Sequence, residues 1–190
     1  MATKKATQYY MIDCRMPDAA LLENIQDVGI ESWFGGHRFS TEPETPVVLE
    51  ILEGYESRPL KEFFPSEMLM RDELVETIRS AGVDNLDVYD AVIRNRKHGR
   101  DHTGYKAVNV IGVLAAADGE GTEYFAENPS RLVDADIMSL QIDGLKTGGA
   151  LMFRLAETVT GLVVHEKVKR AVEAAGFPNM VFHHPADWAG

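Results

Sequence analysis

"MLMRDELVETIRSAGVDNLDVYD" (residues 68–90) and "LVVHEKVKRAVEAAGFPNMVFHH" (residues 162–184) lie over one another without a gap, 94 residues apart. Leu74 falls on Val168, Ile78 on Val172, Ala81-Gly82 on Ala175-Gly176 and Asn85 on Asn179. Leu86 and Val88 fall on Met180 and Phe182. In the first copy Leu74, Val75, Ile78 and Ala81 share one face of a helix, and Gly82 stops it. Asp72 is placed to cap that helix, and Glu166 holds the same position in the second copy, where a carboxylate meets the helix dipole. The pattern predicts an internal repeat of two β-α-β units, 68–92 and 162–184. Each unit buries its helix on a sheet, so the expected fold is α+β, with a mixed sheet in one compact domain.

Working outward, residues 66–190 form the expected core, and residues 1–65 an N-terminal extension whose first strands pack on it. Tyr9–Cys14 is a short run of β-formers, expected as an edge strand. Leu21–Ile30 is less regular, suggesting a helical turn, and "TEPETP" (41–46) is an acidic, proline-interrupted loop before a strand at Val47–Leu52. Leu86, Val88 and Val92 mark another strand, followed by the basic loop Arg94–Arg100. "YKAVNVIGVLAA" (105–116) is rich in β-branched residues and reads as a buried strand. Asp118–Gly121 and Leu145–Gly149 read as turns, and Arg131–Ile142 as a strand or short helix.

With 19 Lys and Arg against 30 Asp and Glu, the net charge is −11, a field that repels nucleic acid and anionic membranes and favours a basic partner. No apolar run approaches the length needed to span a bilayer. The opening residues carry two lysines but no apolar segment of signal-peptide length, and the single cysteine, Cys14, has no partner for a disulfide. These features predict a cytoplasmic protein. Cys14 is expected as a small, half-buried apolar residue rather than a nucleophile.

Motifs that would carry chemistry fail on inspection. His165-Glu166 begins like the zinc-protease pattern H-E-x-x-H, but Lys169 stands at the fifth position. Lys146-Thr147-Gly148 lacks the S-x-x-K partner motif. Tyr124 stands where a dinucleotide fingerprint starting at Gly119 needs its last glycine, and Met138 and Leu140 follow Asp134-Ala135-Asp136 where a calcium loop needs oxygen ligands. His183, His184 and Asp187 are weak metal or acid–base candidates, because adjacent strand residues point to opposite faces. The basic loop, with Arg94, Arg96 and His102, is either an anion site or a solvated hairpin. Trp33 and Phe34, beside two glycines, are either a binding anchor or core. No nucleophile, base and orienter form a set.

"YKAVNVIGVLAAADGEGTEY" (105–124) and "ALMFRLAETVTGLVVHEKVKRAVEAAGFPNMVFHHP" (150–185) resemble a family of bacterial immunity proteins from polymorphic-toxin systems, the eleventh so numbered and frequent in myxobacteria. The resemblance covers roughly residues 66–184 and rests on the strand-Asn-strand ending in an acidic turn, the Phe153-Arg154 pair, and the terminal helix, Ala-Gly, turn and Phe182. It departs from the family where Thr122 replaces a serine before the acidic-aromatic pair. It implies binding and neutralising a cognate effector enzyme; no cofactor is expected. Arg154 is then a partner contact or a structural arginine paired with a buried carboxylate.

The expectation from all of this is a non-enzymatic cytoplasmic inhibitor of a toxin or secreted hydrolase (nuclease, lipase or protease), with Trp33, Phe34, Arg94, Arg96 and Arg154 as candidate contacts. Nucleic acid and membrane are not expected partners; a homodimer is compatible. The alternative is a small-ligand protein or hydrolase working through His183, His184 and Asp187.

Overall fold

The structure, a computed structural model, describes residues 8–124 and 137–188. In chain order the described elements are β1 (Tyr9–Cys14), β2 (Val47–Glu50), β3 (Phe63–Phe64), β4 (Leu69–Arg71), α1 (Asp72–Ser80), β5 (Leu86–Asn95), β6 (Arg100–Val110), β7 (Val113–Leu114), β8 (Glu123–Tyr124), β9 (Ile137–Ser139), β10 (Met152–Leu155), β11 (Thr158–His165), α2 (Glu166–Ala175) and β12 (Met180–His183). The fold is α+β with mixed sheets. One sheet has the order β2-β5-β6-β4-β3, the other β12-β1-β11-β10-β7, and β8 pairs with β9. No helix among the described residues is long and apolar enough to cross a membrane.

Both β-α-β units are split: a third strand lies between their two parallel strands. Strand β6 runs antiparallel to both β4 and β5, and β1 runs antiparallel to both β11 and β12. The registers coincide. Arg71 opposes Tyr105 as His165 opposes Tyr9, and Val88 opposes Val108 as Phe182 opposes Ile12. Phe63-Phe64 of β3 lie against β4 as Met152-Phe153 of β10 lie against β11. Each half is therefore β-β-α-β-β, but the second half takes its last strand from the start of the chain. Tyr9–Cys14, expected at an edge, is an inner strand. Residues 8–65 supply β1 to one sheet and β2 and β3 to the other.

Helix α1 packs on β4 and β6, α2 on β1, β11 and β12, and the helices pack on each other. Their stripes, Leu74, Val75 and Ile78 with Val168 and Val172, meet Met70, Val110, Cys14 and Val164 in one core. A smaller cluster, including Met11, Phe153, Leu155 and Val163, covers the other face of the second sheet beneath Ala116 and Leu140. Burial of these apolar surfaces is the main stabilising term.

Local chemistry differs from expectation in three places. Asp72 is the first residue of α1, with Arg71 at the capping position, whereas His165 caps α2 by accepting the Lys167 N–H on Nδ1 at 2.9 Å. The 105–116 run breaks at Ile111-Gly112 and divides between the sheets, β6 to the first and β7 to the second, because Gly112 is held between Gly36 and Arg154 by backbone hydrogen bonds. Leu21–Ile30 forms no helix; its start pairs with the end of β2, and Val28–Glu31 close a tight turn. Of the 131–142 prediction, Ile137–Ser139 is a strand, while 131–136, with the Asp134-Asp136 pair, lie outside the described residues.

Candidate functional site

Strand β2 is the outermost strand of its sheet, and its sequence dictates which groups it leaves free. Leu49 points into the core at 2% exposure, so Val48, one residue out of phase, turns outward. The backbone alternates likewise. The Ile51 N–H donates to the Arg94 carbonyl on β5, while the Glu50 carbonyl and Leu52 N–H turn the other way, to Glu23 and Leu21. Val48 shares the phase of Glu50 and Leu52. Among the described residues no backbone hydrogen bond reaches it from the outer side, so β2 is covered at its C-terminal end and open around Val48.

Beside that opening the chain diverges into a groove of about 750 Å³ between the 26–31 segment and the 40–48 segment. Trp33 is its floor: the indole N–H donates to the Gln26 carbonyl at 2.8 Å, and the ring packs edge-on against Phe39 and Tyr89. Glu31 braces a wall by accepting the N–H and hydroxyl of Ser40, both at 2.8 Å, with the His37 ring 3.5 Å away. The Ser40 N–H, then its hydroxyl, hold the Glu31 carboxyl below the usual range.

Among the described residues four carboxylates line the groove, Asp27, Glu31, Glu42 and Glu44, and no Lys, Arg or His does. Among the described residues Asp27, Glu42 and Glu44 are in no ion pair. Apolar groups sit beside them. Of the seven large hydrophobic side chains exposed by the described residues, Leu21, Ile30, Val48 and Leu52 all lie on β2, just past its end or on the 21–30 segment beside it, and Ile30 at the turn tip is fully exposed. An exposed apolar strip rimmed by charge is the usual signature of a protein-binding surface.

The residues singled out from sequence fall elsewhere, with one exception. Trp33 belongs to the groove, but as buried floor, 1% exposed, not as an anchor that a partner touches. Arg154 is also buried, at 0%. Its guanidinium donates to the Trp33 carbonyl at 3.0 Å and lies over the half-buried Phe34 ring, and burial pushes its pKa down to about 10. Neither residue is available for direct contact, because both hold the 33–34 segment against the core. Arg94 and Arg96 are surface residues of the β5–β6 hairpin, each matched to a carboxylate, Asp101 at 3.4 Å and Glu50 respectively.

The histidines at the end of β12 do not converge. His183 Nε2 lies 3.8 Å from Asp13, His184 Nδ1 accepts the Ala186 N–H, and Asp187 belongs to a short 3-10 turn. Among the described residues no three His, Cys, Asp or Glu side chains are placed to hold a metal. Cys14 is buried rather than half-buried, its thiol pushed up in pKa by burial, with Glu62 Oε2 at 3.5 Å.

Sequence reasoning missed Asp27, Ile30 and Val48, and saw Glu42 and Glu44 only as an acidic loop. The one legible signal was that loop running into a strand; which side of the strand stays open depends on the sheet order. Compared with known proteins, the chain matches no family model and no curated sequence.

Proposed function

We propose that this chain is a non-enzymatic inhibitor, an immunity protein of the polymorphic-toxin kind, that binds a basic effector enzyme in the cytoplasm and keeps it inactive before export. The observation that carries this reading is the groove beside β2, where carboxylates that are in no ion pair among the described residues (Asp27, Glu42 and Glu44) stand next to exposed apolar side chains. Such a surface suits a cationic partner in two ways. Its field speeds encounter, an effect that acts on the association rate more than on affinity, and its apolar groups supply the contact that slows release. The net charge of −11 extends the same field over the molecule. The immunity-protein class within this reading comes from the sequence pattern of residues 66–184 and stands or falls with the partner found.

The enzyme class of the partner, nuclease, lipase or protease, follows from its identification. The test is co-purification of the tagged chain from its own cells at low and high salt, with partners identified by mass. One secreted-type enzyme held near one to one, inactive while bound and associating more slowly as salt rises, is the expected result. Absence of any stoichiometric partner at both salt concentrations overturns the proposal.

A further inference from the structure

We infer that the groove beside β2 takes an extended, lysine- or arginine-bearing segment of the partner as an added strand, hydrogen-bonded to the free edge at Val48. The inference rests on the inhibitor reading and deepens it by naming the mode of binding.

Three independent features meet here. The first is the backbone: by strand alternation the Val48 N–H and C=O point away from β5, and among the described residues the outer side of β2 is occupied only where Leu21–Glu23 pair with Glu50–Leu52. An extended segment entering the groove continues the line that Leu21–Glu23 begin. Main-chain bonds of this kind give affinity, and alternate side chains give specificity. The second is charge. Asp27, Glu42 and Glu44 are in no ion pair among the described residues, so a segment bearing lysine or arginine has carboxylates to pair with. The third is shape. The groove is closed below by Trp33 and flanked by Ile30 and Val48, so side chains alternating between cationic and apolar have both kinds of surface to meet.

A second copy of this chain is the obvious rival for an open edge. It would bring four more carboxylates against the four already present, and like charges in register oppose pairing. A free acidic or anionic ligand is opposed for the same reason.

The probe is the hexapeptide Lys-Val-Lys-Val-Lys-Val, capped at both ends, titrated into the full chain by fluorescence anisotropy. Binding that weakens at least tenfold when alternate backbone nitrogens are methylated, and that vanishes when glutamate replaces lysine, is the expected result. Equal binding of the methylated peptide overturns strand addition, since charge alone then accounts for binding. On the protein side, Val48→Pro removes the outward N–H without touching a bond to β5, and a tenfold loss of peptide affinity at unchanged melting temperature is expected. Should that variant fold poorly, hydrogen exchange on the unaltered chain decides: the Val48 amide slows when peptide is bound, and an unchanged rate overturns the inference. A solution mass showing a dimer that the peptide does not dissociate also overturns it, by assigning the edge to a second copy.

The two proposals fail separately. If an enzyme co-purifies equally with the wild-type chain and with Val48→Pro, the inhibitor reading stands and the strand does not. If the peptide binds as described but no enzyme is captured, the groove stands and the inhibitor reading falls.

Discussion

Asn85 and Asn179 occupy the same position in the two halves, in the turn between helix and strand, and both reach across the molecule. Asn85 Nδ2 donates to the Met152 carbonyl at 2.9 Å and to the Ile111 carbonyl; Asn179 Nδ2 donates to the Glu62 carboxylate at 3.0 Å. Their carbonyls are also equivalent, accepting from the N–H of Ile111 and of Arg15 just past the inner strand. Each asparagine thus ties its own turn to the neighbouring half. Replacing either with alanine leaves buried partners unmet and is expected to cost about 1–3 kcal/mol in urea unfolding. The two losses should add, because the residues share no partner. At Cys14, burial and the raised thiol pKa make the thiolate scarce. Iodoacetamide is therefore expected to leave the folded chain unmodified for hours and to label it once unfolded, as read by intact mass. Arg154→Ala is expected to lower melting temperature and partner binding together, since Arg154 supports the segment that floors the groove without touching a partner.

At the scale of elements, the groove wall from Glu31 to Ser40 is closed by one carboxylate. Because the Ser40 N–H holds the Glu31 pKa below its ordinary value of 4.5, the deprotonated form is the one the fold favours. The closure it provides is present above the ordinary carboxylate range and lost as pH falls through the lowered value. The Ser40 amide should therefore titrate in NMR with a midpoint below 4.5 and exchange faster beneath it. A midpoint above 4.5 contradicts the assignment. The two helices were easier to anticipate than this wall. Apolar spacing marks each helix and a glycine in the left-handed region, Gly82 at φ +100° and Gly176 at φ +79°, places its C-terminal end locally, whereas the N-terminal caps fell one residue earlier than expected.

For the whole molecule, the second half is a circularly permuted copy of the first. Strands β5 and β6 are joined as a hairpin, whereas their counterparts β12 and β1 pair with no direct connection. The end of β12 lies opposite the start of β1, His183 beside Met11, as Asn95 lies beside Arg100. Joining residue 188 to residue 8 through about eight Gly and Ser residues, a reach of ~15 Å, and opening the chain between Lys97 and His98 exchanges the roles of the halves. Because the opening falls in an exposed turn, this permuted chain is expected to fold. Its melting temperature should drop by no more than roughly 5 °C, the effect of about 1–2 kcal/mol at this size. A permuted chain that stays unfolded would show that the hairpin, and not the shared core, drives assembly.

Helix periodicity, the Ala-Gly stop and the matched asparagines are local, so the two β-α-β units and the α+β class were legible in residues 68–90 and 162–184. The acidic excess was legible too. What lay beyond reach was whatever depends on strands far apart in the chain. Tyr9–Cys14 reads as an edge because it is a short run of β-formers, and it becomes an inner strand because β11 and β12 arrive on either side of it. Trp33 and Arg154 read either as contacts or as core by residue type, and are buried because the 33–34 segment folds onto β10. The groove exists because β2 ends its sheet and the 21–23 segment covers only half of its outer side. Propensity and periodicity act over a few residues and determine which elements form; which edge stays open is decided by long-range pairing, where hydrogen bonds and burial join residues that sequence keeps apart.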